Sequence, residues 1–320
     1  MRIGVLTGGG DCPGLNAVIR AVVRKSDTLS SRVIGLRNGW KGLLDPSTMD
    51  LDGKMVSGIL HVGGTIIGTS RTNPFKDPGG AEKAMRNMRI LGLEALIAIG
   101  GEDTLGAAAK LHELGLPVVG VPKTIDNDIY GTDYSIGFDT AVNTALQAID
   151  RIRDTASSLE RIFFIEVMGR TAGFIGLDVG LASGAEEVLI PETPTDIRQL
   201  SRRLLRNIKK GKKTNIVVVS EGDEAGSALE IARKVKKLTG EDNRVAVLGY
   251  IQRGGAPSAR DRILASQLGY EAVQALRRGL SGVMVGEMNG KTVFTKFRAT
   301  YRRKKKIDLH LYKTITILAD

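Results

Sequence analysis

Ile3-Gly4-Val5-Leu6-Thr7-Gly8-Gly9-Gly10-Asp11-Cys12-Pro13-Gly14-Leu15-Asn16 decides the fold class of this 320-residue chain. A short β-branched apolar run ends in three consecutive glycines, and a helix is predicted to begin near Leu15. Without a Cβ, such a run turns sharply and brings successive backbone N–H groups toward one ligand. The positive end of the following helix points at the same place. A strand that enters a glycine turn and leaves as a helix is half of a parallel βαβ unit. The loop is not a Walker A loop, because no Lys-Ser/Thr follows, and Pro13 breaks a G-x-G-x-x-G pattern.

The same unit recurs along the chain. Apolar runs lie at 95–99, 118–121, 162–167, 188–190, 216–219 and 245–248. Between most of them the apolar residues follow a helical period, as in Ala141, Ala145, Ala148, Ile149 and Ile152, or Ile197, Leu200, Leu204 and Ile208. Strands alternating with helices predict an α/β protein with mainly parallel sheets. Ligands in such folds bind at the carboxyl ends of strands. Those ends carry Gly100-Gly101-Glu102-Asp103-Thr104, Lys123-Thr124-Ile125-Asp126-Asn127-Asp128, Met168-Gly169-Arg170, Ser220-Glu221-Gly222 and Tyr250-Ile251-Gln252-Arg253. Gly290-Lys291-Thr292 is different: Asn289-Gly290 between Val-rich segments predicts a β-hairpin, not a nucleotide loop.

Composition narrows the partners. Lys and Arg total 46 against 35 Asp and Glu, a net charge of +11 that suits anionic ligands. The basic run from Arg302 to Lys306 is short and reads as a solvated surface turn, and 4% aromatics are too few for a base-stacking platform, so no nucleic acid is expected. No run of 18 apolar residues exists, so no membrane partner is expected. Cys12 is the only cysteine, which excludes an internal disulfide and a cysteine zinc cluster. With no signal-peptide pattern at the start, a cytoplasmic location is expected.

The strand-end residues define the chemistry. Glu102 and Asp103 are adjacent carboxylates beside a phosphate cradle, a pairing that a hydrated Mg²⁺ relieves by bridging one carboxylate and phosphate oxygens. By composition alone the 123–128 segment reads as an Asx-rich surface turn; if Asp126 faces a substrate hydroxyl, it can accept that proton during phosphoryl transfer, and Lys123 can neutralise charge on the moving group. Arg71, Arg161, Arg170, Arg244 and Arg253 flank strands or glycine loops, where guanidinium groups match phosphate in a bidentate fork.

Taken together and in order, GGGDCPGLN, GGTIIGTSR, GGEDT, PKTIDND, MGR, SEG and LGYIQRGG resemble the phosphofructokinase family over residues 1 to about 255. The resemblance implies two Rossmann-like lobes with the active site in the cleft between them. The donor lobe is expected over 1–137 plus 250–301, and the fructose 6-phosphate lobe over 138–249 plus 302–320. It implies transfer of a phosphoryl group to the 1-hydroxyl of fructose 6-phosphate, with Mg²⁺ at Glu102. Asp126 matches the family's base, Thr124 and Asp128 its companions, and Arg170 a transition-state stabiliser. Gly9, Gly10, Arg71, Asp103 and Thr104 match the donor side. Met168, Gly169, Glu221, Tyr250 and Arg253 match sugar-phosphate contacts, with Tyr250 where histidine is common. Arg161 and Arg244 match residues that reach a neighbouring subunit's site, so a homodimer or homotetramer is implied.

Two departures bear on the donor. ATP-dependent members usually carry glycine where Asp103 and Lys123 stand. A carboxylate at Asp103 would crowd and repel the α-phosphate of ATP, and Lys123 would stabilise a leaving phosphate. The expectation is therefore pyrophosphate as donor, with ATP as the alternative and a non-catalytic sugar-phosphate sensor as a third reading. Trp40 stands where ATP enzymes often have an adenine-packing tyrosine. Arg20, Arg24, Arg153, Lys210 and Lys212 match an effector site, with Gly53 replacing one expected arginine there.

Overall fold

The computed structural model describes residues 1–319. Its strands are β1 (Arg2–Thr7), β2 (Arg32–Leu36), β3 (Thr48–Leu51), β4 (Ala95–Gly100), β5 (Val118–Pro122), β6 (Ile162–Val167), β7 (Glu187–Leu189), β8 (Asn215–Ser220), β9 (Asn243–Val247), β10 (Val283–Met288) and β11 (Lys291–Lys296). The chain divides into two compact units. One comprises Met1–Thr140 with Arg253–Lys305, the other Ala141–Gln252 with the segment from Lys306 on.

The first unit is built on a seven-stranded sheet in the order β11-β10-β5-β4-β1-β2-β3. Its five inner strands run parallel, and the edges β3 and β11 are antiparallel. β4 and β5 are buried along their whole length, as strands covered on both faces by helices must be. Leu6, Leu36, Trp40, Leu96, Leu105 and Phe297 belong to its core. The second unit holds a four-stranded, all-parallel sheet in the order β7-β8-β6-β9. Phe164, Leu200, Leu204, Val217 and Ile231 form its core. The expected α/β class with mainly parallel sheets is what the chain adopts.

Every apolar run read from the sequence falls on a strand, with ends within two residues. β2 and β3 were not anticipated: β2 is interrupted by Gly35, and β3 is a four-residue edge with a mostly exposed pattern. The expected hairpin joins β10 to β11, with Asn289 and Gly290 at φ 51° and 71°. Two successive positive φ values match the strand twist at a two-residue turn.

Two features brace the chain between β5 and the helix Phe138–Leu159. Asp261, 1% exposed on the helix Ala259–Arg277, accepts hydrogen bonds from the Gly137 N–H (2.9 Å), the Thr140 N–H (2.9 Å) and Thr140 Oγ1 (2.5 Å). It thereby caps the helix Phe138–Leu159 from outside. The basic run is a strap: Arg303 Nη1 donates to Tyr130 Oη at 3.0 Å and Lys305 Nζ to the Asp133 carbonyl at 2.5 Å. No helix among the described residues is long and apolar enough to cross a membrane.

Candidate active site

In the first unit the glycine loop is held from three sides. The Gly8 N–H donates to the Ile99 carbonyl and the Gly9 N–H to the Ser70 carbonyl, both at 2.9 Å, while Thr69 Oγ1 donates to the Gly9 carbonyl at 2.7 Å. Gly9 takes φ 82°, a left-handed turn that glycine alone adopts without strain. A Cβ on Gly8 would lie 2.5 Å from Thr104 Oγ1, and one on Gly10 3.0 Å from Arg253 Nη1. Gly8, Gly10, Thr104 and Arg253 are therefore packed together although they are up to 245 positions apart, counting from Gly8 to Arg253. Lys123 joins them, its Nζ donating to the Gly8 carbonyl at 2.9 Å and to the Gly10 carbonyl. Arg71 follows Ser70 at the edge of the same loop and is exposed.

Glu102 and Asp103 are the exposed first residues of the helix Glu102–Glu113. Asp103 Oδ1 accepts from Asn73 Nδ2 at 3.0 Å and lies 3.2 Å from Lys76 Nζ. No group of three His, Cys, Asp or Glu side chains able to hold a metal occurs among the described residues. With Asp103 engaged by Asn73 and Lys76, the exposed Glu102 carboxylate at the helix start fits a hydrated Mg²⁺ that would take its remaining ligands from phosphates and water. Beside Thr72 a cavity of about 410 Å³ is lined by Lys41, Leu44, Asp77, Gly80 and Lys83. Trp40 is not part of its wall; it is wholly buried in the core.

The loop after β5 closes on itself. Asn127 adopts φ 53°; its Oδ1 accepts from the Ser135 N–H (2.9 Å), and its Nδ2 donates to the Asp133 carbonyl (3.2 Å). Ser135 Oγ donates to the Thr124 carbonyl at 2.6 Å, and the Asp126 N–H to Thr124 Oγ1 at 3.2 Å. Asp126 is 7% exposed, so its carboxyl has a fixed setting. Asp128 is half-buried beside it.

In the second unit Met168, Gly169 and Arg170 follow β6, and Glu221 follows β8. The Met168 N–H donates to Gln252 Oε1 at 2.9 Å, and the Arg170 N–H to Glu221 Oε2 at 3.2 Å. Arg170 holds φ 55°, uncommon for a residue with a Cβ and often found at functional sites. Gly222 makes room for it: a Cβ there would meet the Arg170 carbonyl at 2.0 Å. Tyr250 is 75% exposed near the same strand ends. Arg161 and Arg244 lie elsewhere. Arg161 precedes β6 and Arg244 pairs with Phe163, at the amino ends of the strands. A six-residue strand rises about 20 Å, so these two arginines are not gathered with Met168 and Arg170. Of the expected effector set, Arg153 donates to the Ser183 and Gly184 carbonyls and Lys212 to that of Ala319.

Sequence reasoning missed Asn73 and Lys76 as partners of Asp103, Ser135 as the clamp of the 123–136 loop, Gln252 as the support of Met168, and Asp261. Each acts through contacts between distant chain positions, and only Asn73 and Gln252 stood in stretches already singled out.

A family model described as phosphofructokinase matches residues 2–276, and the chain belongs to the phosphofructokinase family. It is 52% identical over 319 residues, 99% of both chains, to the ATP-dependent 6-phosphofructokinase 1 of Thermus thermophilus. It is 49% identical over 312 residues to the ATP-dependent 6-phosphofructokinase of Bacillus subtilis, covering 98% of this chain and 97% of that one. Among solved structures it is similar to phosphofructokinase from Saccharomyces cerevisiae (TM-score 0.88, 32% identity), covering 94% of this chain and 45% of that one. It is also similar to the pyrophosphate-dependent phosphofructokinase from Marinobacter aquaeolei (TM-score 0.87, 25% identity), covering 97% and 86%.

These likenesses overturn the expected pyrophosphate donor. The relatives at about half identity over full length are ATP-dependent, whereas the pyrophosphate-dependent neighbour stands at 25%. The geometry supplies the physical reason. The expectation treated Asp103 as a bare negative charge in the nucleotide's path. Its carboxylate is instead engaged by Asn73 and Lys76, which offset its charge. Lys123, expected to serve the leaving phosphate, directs its ammonium to two loop carbonyls.

Proposed function

We propose that this phosphotransferase of glycolysis is an ATP-dependent 6-phosphofructokinase, moving the γ-phosphoryl group of ATP to the 1-hydroxyl of fructose 6-phosphate. One observation carries the donor: half of all positions are shared with an ATP-dependent enzyme across 99% of both chains. A cavity of about 410 Å³, within the size range of small-molecule pockets, lies beside Thr72, next in the chain to Arg71 of the donor side.

Asp126 takes the proton of the 1-hydroxyl as that oxygen bonds to the γ-phosphorus. The bond from the γ-phosphorus to the bridging oxygen breaks, and ADP leaves with the electron pair. Thr124 steadies Asp126 through the bond to its backbone N–H, and Asp128 completes the acidic edge. The Arg170 guanidinium balances charge on the transferring group. Gly10, Arg71 and Thr104 hold the donor phosphates, with Gly9 making the turn that presents them. Glu102 would hold Mg²⁺, which when bound would offset the charge of the donor phosphates.

Met168, Gly169, Glu221, Tyr250 and Arg253 receive the sugar phosphate. Arg161 and Arg244, remote from those residues along β6 and β9, complete the site of a second copy of the chain. The first unit thus serves the donor, and the second, joined by Arg253 of the first, the sugar phosphate. Purified protein given fructose 6-phosphate, Mg²⁺ and ATP should form the 1,6-bisphosphate and ADP in equal amounts. Absence of ADP under conditions where the protein binds fructose 6-phosphate would remove this reading.

A further inference from the structure

With the donor corrected, Lys123 is a buried cation in need of a task. It is 3% exposed, and burying an ammonium is costly unless it is well partnered. Its ammonium donates to neutral groups, the carbonyls of Gly8 and Gly10. The charged or titratable groups around it are Cys12, Asp11, Arg253 and Asp126. Cys12 adds no charge, because burial pushes its thiol up to about 12. Burial likewise lowers the Lys123 pKa from the ordinary lysine value, against the pull of Asp11 and Asp126.

We propose that Lys123 is a positioning residue that orients the phosphate-binding peptides of the glycine loop. In a trans peptide the C=O and the next residue's N–H point in opposite directions. Drawing the Gly8 carbonyl toward Lys123 turns the Gly9 N–H away, and that N–H meets the Ser70 carbonyl at 2.9 Å. Drawing the Gly10 carbonyl toward Lys123 turns the Asp11 N–H away in the same manner, to the side opposite the ammonium. The Asp11 amide becomes the loop's preset donor for a phosphate oxygen, next to the start of the helix Leu15–Asp27. The Gly9 N–H bond to Ser70 also holds the first of these peptides, so the lysine matters most for the second, whose glycine would otherwise let it flip. The lysine removes that freedom before the donor arrives, which lowers the ordering cost of binding. The identity of that donor as ATP rests on the function proposed above; the loop-holding role does not.

The test uses the full chain without ligand. Amide exchange should show Lys123→Met losing protection at Gly9 by at least about tenfold, the scale of one hydrogen bond to a charged group, with Ile99 in β4 unchanged. In the wild-type chain, Gly9 protection corrected for intrinsic rates should fall as pH rises and Lys123 loses its proton, again with Ile99 unchanged. Should the variant not fold, this pH series decides alone. With ATP, Lys123→Met should raise the donor KM by at least about tenfold while the fructose 6-phosphate KM stays within about twofold. Unchanged Gly9 protection in both exchange experiments overturns the proposal. So does a fall in kcat at constant donor KM, which would mean the ammonium acts on the transferring group itself. Altered exchange in a protein that never turns over ATP supports the staple and removes the assigned donor.

Discussion

Replacing Asp103 with alanine separates two opposed accounts of this carboxylate. If it stood as a barrier to ATP, its removal would improve ATP use. The structure predicts the reverse, because Asp103 ties residues 73–76, just beyond Arg71, to the first turn of the helix Glu102–Glu113. The Lys76 pair has side chains 66% and 54% exposed, so it contributes only about 0.2–1 kcal/mol. The Asn73 hydrogen bond at 3.0 Å adds about 0.5–1.5 kcal/mol, at the low end because water reaches it. Together they hold the segment by about 1–2 kcal/mol, a factor of about 5–30 in its ordered population. Binding recovers part of that order, so the ATP KM of Asp103→Ala should rise about 3–10-fold, with the fructose 6-phosphate KM within about twofold. Steady-state kinetics at low ionic strength measure this. Lys76→Met should show a smaller rise, and the double variant should add little to Asp103→Ala. High salt should shrink the effect of Lys76→Met, since exposed pairs are screened. An Asp103→Ala enzyme with a lower ATP KM than the wild type refutes the reasoning.

Asp126→Asn should lower kcat by on the order of 10²–10⁴ with fructose 6-phosphate binding retained, measured by turnover and by calorimetry; near-native kcat would exclude it as the base. Gly222→Ala should displace the Arg170 backbone, since the new methyl would stand 2.0 Å from its carbonyl at a φ of 83°. It should cost about 1–3 kcal/mol in denaturant melts and on the order of 10² in kcat, and a native-like enzyme would count against the assigned role of Arg170. Burial raises the Glu187 carboxyl to about 7 even though Arg203 Nη2 lies 2.7 Å away. Between its ordinary value of 4.5 and about 7 the folded chain keeps a proton that the unfolded chain releases. Stability therefore falls as pH rises through that window and levels off above it. The Tm of the wild type should drop relative to Glu187→Gln between pH 5 and 8, and parallel curves would deny the shift.

Strand-to-loop transitions were readable because each joins a buried β-branched run to glycine, and both signals are local. The same locality made Asp126, Glu102 and Arg170 readable as candidates. What stayed hidden depends on contacts across the chain. The engagement of Asp103 by Lys76 needs a turn 27 positions away, subtracting 76 from 103, and nothing in GGEDT announces it. Reading Asp103 as an isolated charge then led to the wrong donor. Lys123 misled in the same way: a lysine in a phosphate loop suggests a phosphate contact, whereas its burial commits it to carbonyls. Trp40 left two readings open in the sequence, an aromatic beside the nucleotide or a core residue, and it lies in the core with Leu43 and Leu44. Asp261 had no local signal at all, since a carboxylate in a helix first turn reads as an ordinary charge.

One competition experiment tests ATP as the donor most directly. Equal concentrations of ATP and pyrophosphate are supplied together with fructose 6-phosphate, Mg²⁺ and the wild-type protein, and ³¹P spectra follow all phosphorus species in one tube. The expected result is loss of the ATP γ-signal, matching growth of ADP and the bisphosphate, and an unchanged pyrophosphate line. Loss of pyrophosphate with growth of inorganic phosphate and the bisphosphate, while ATP stays intact, would contradict it.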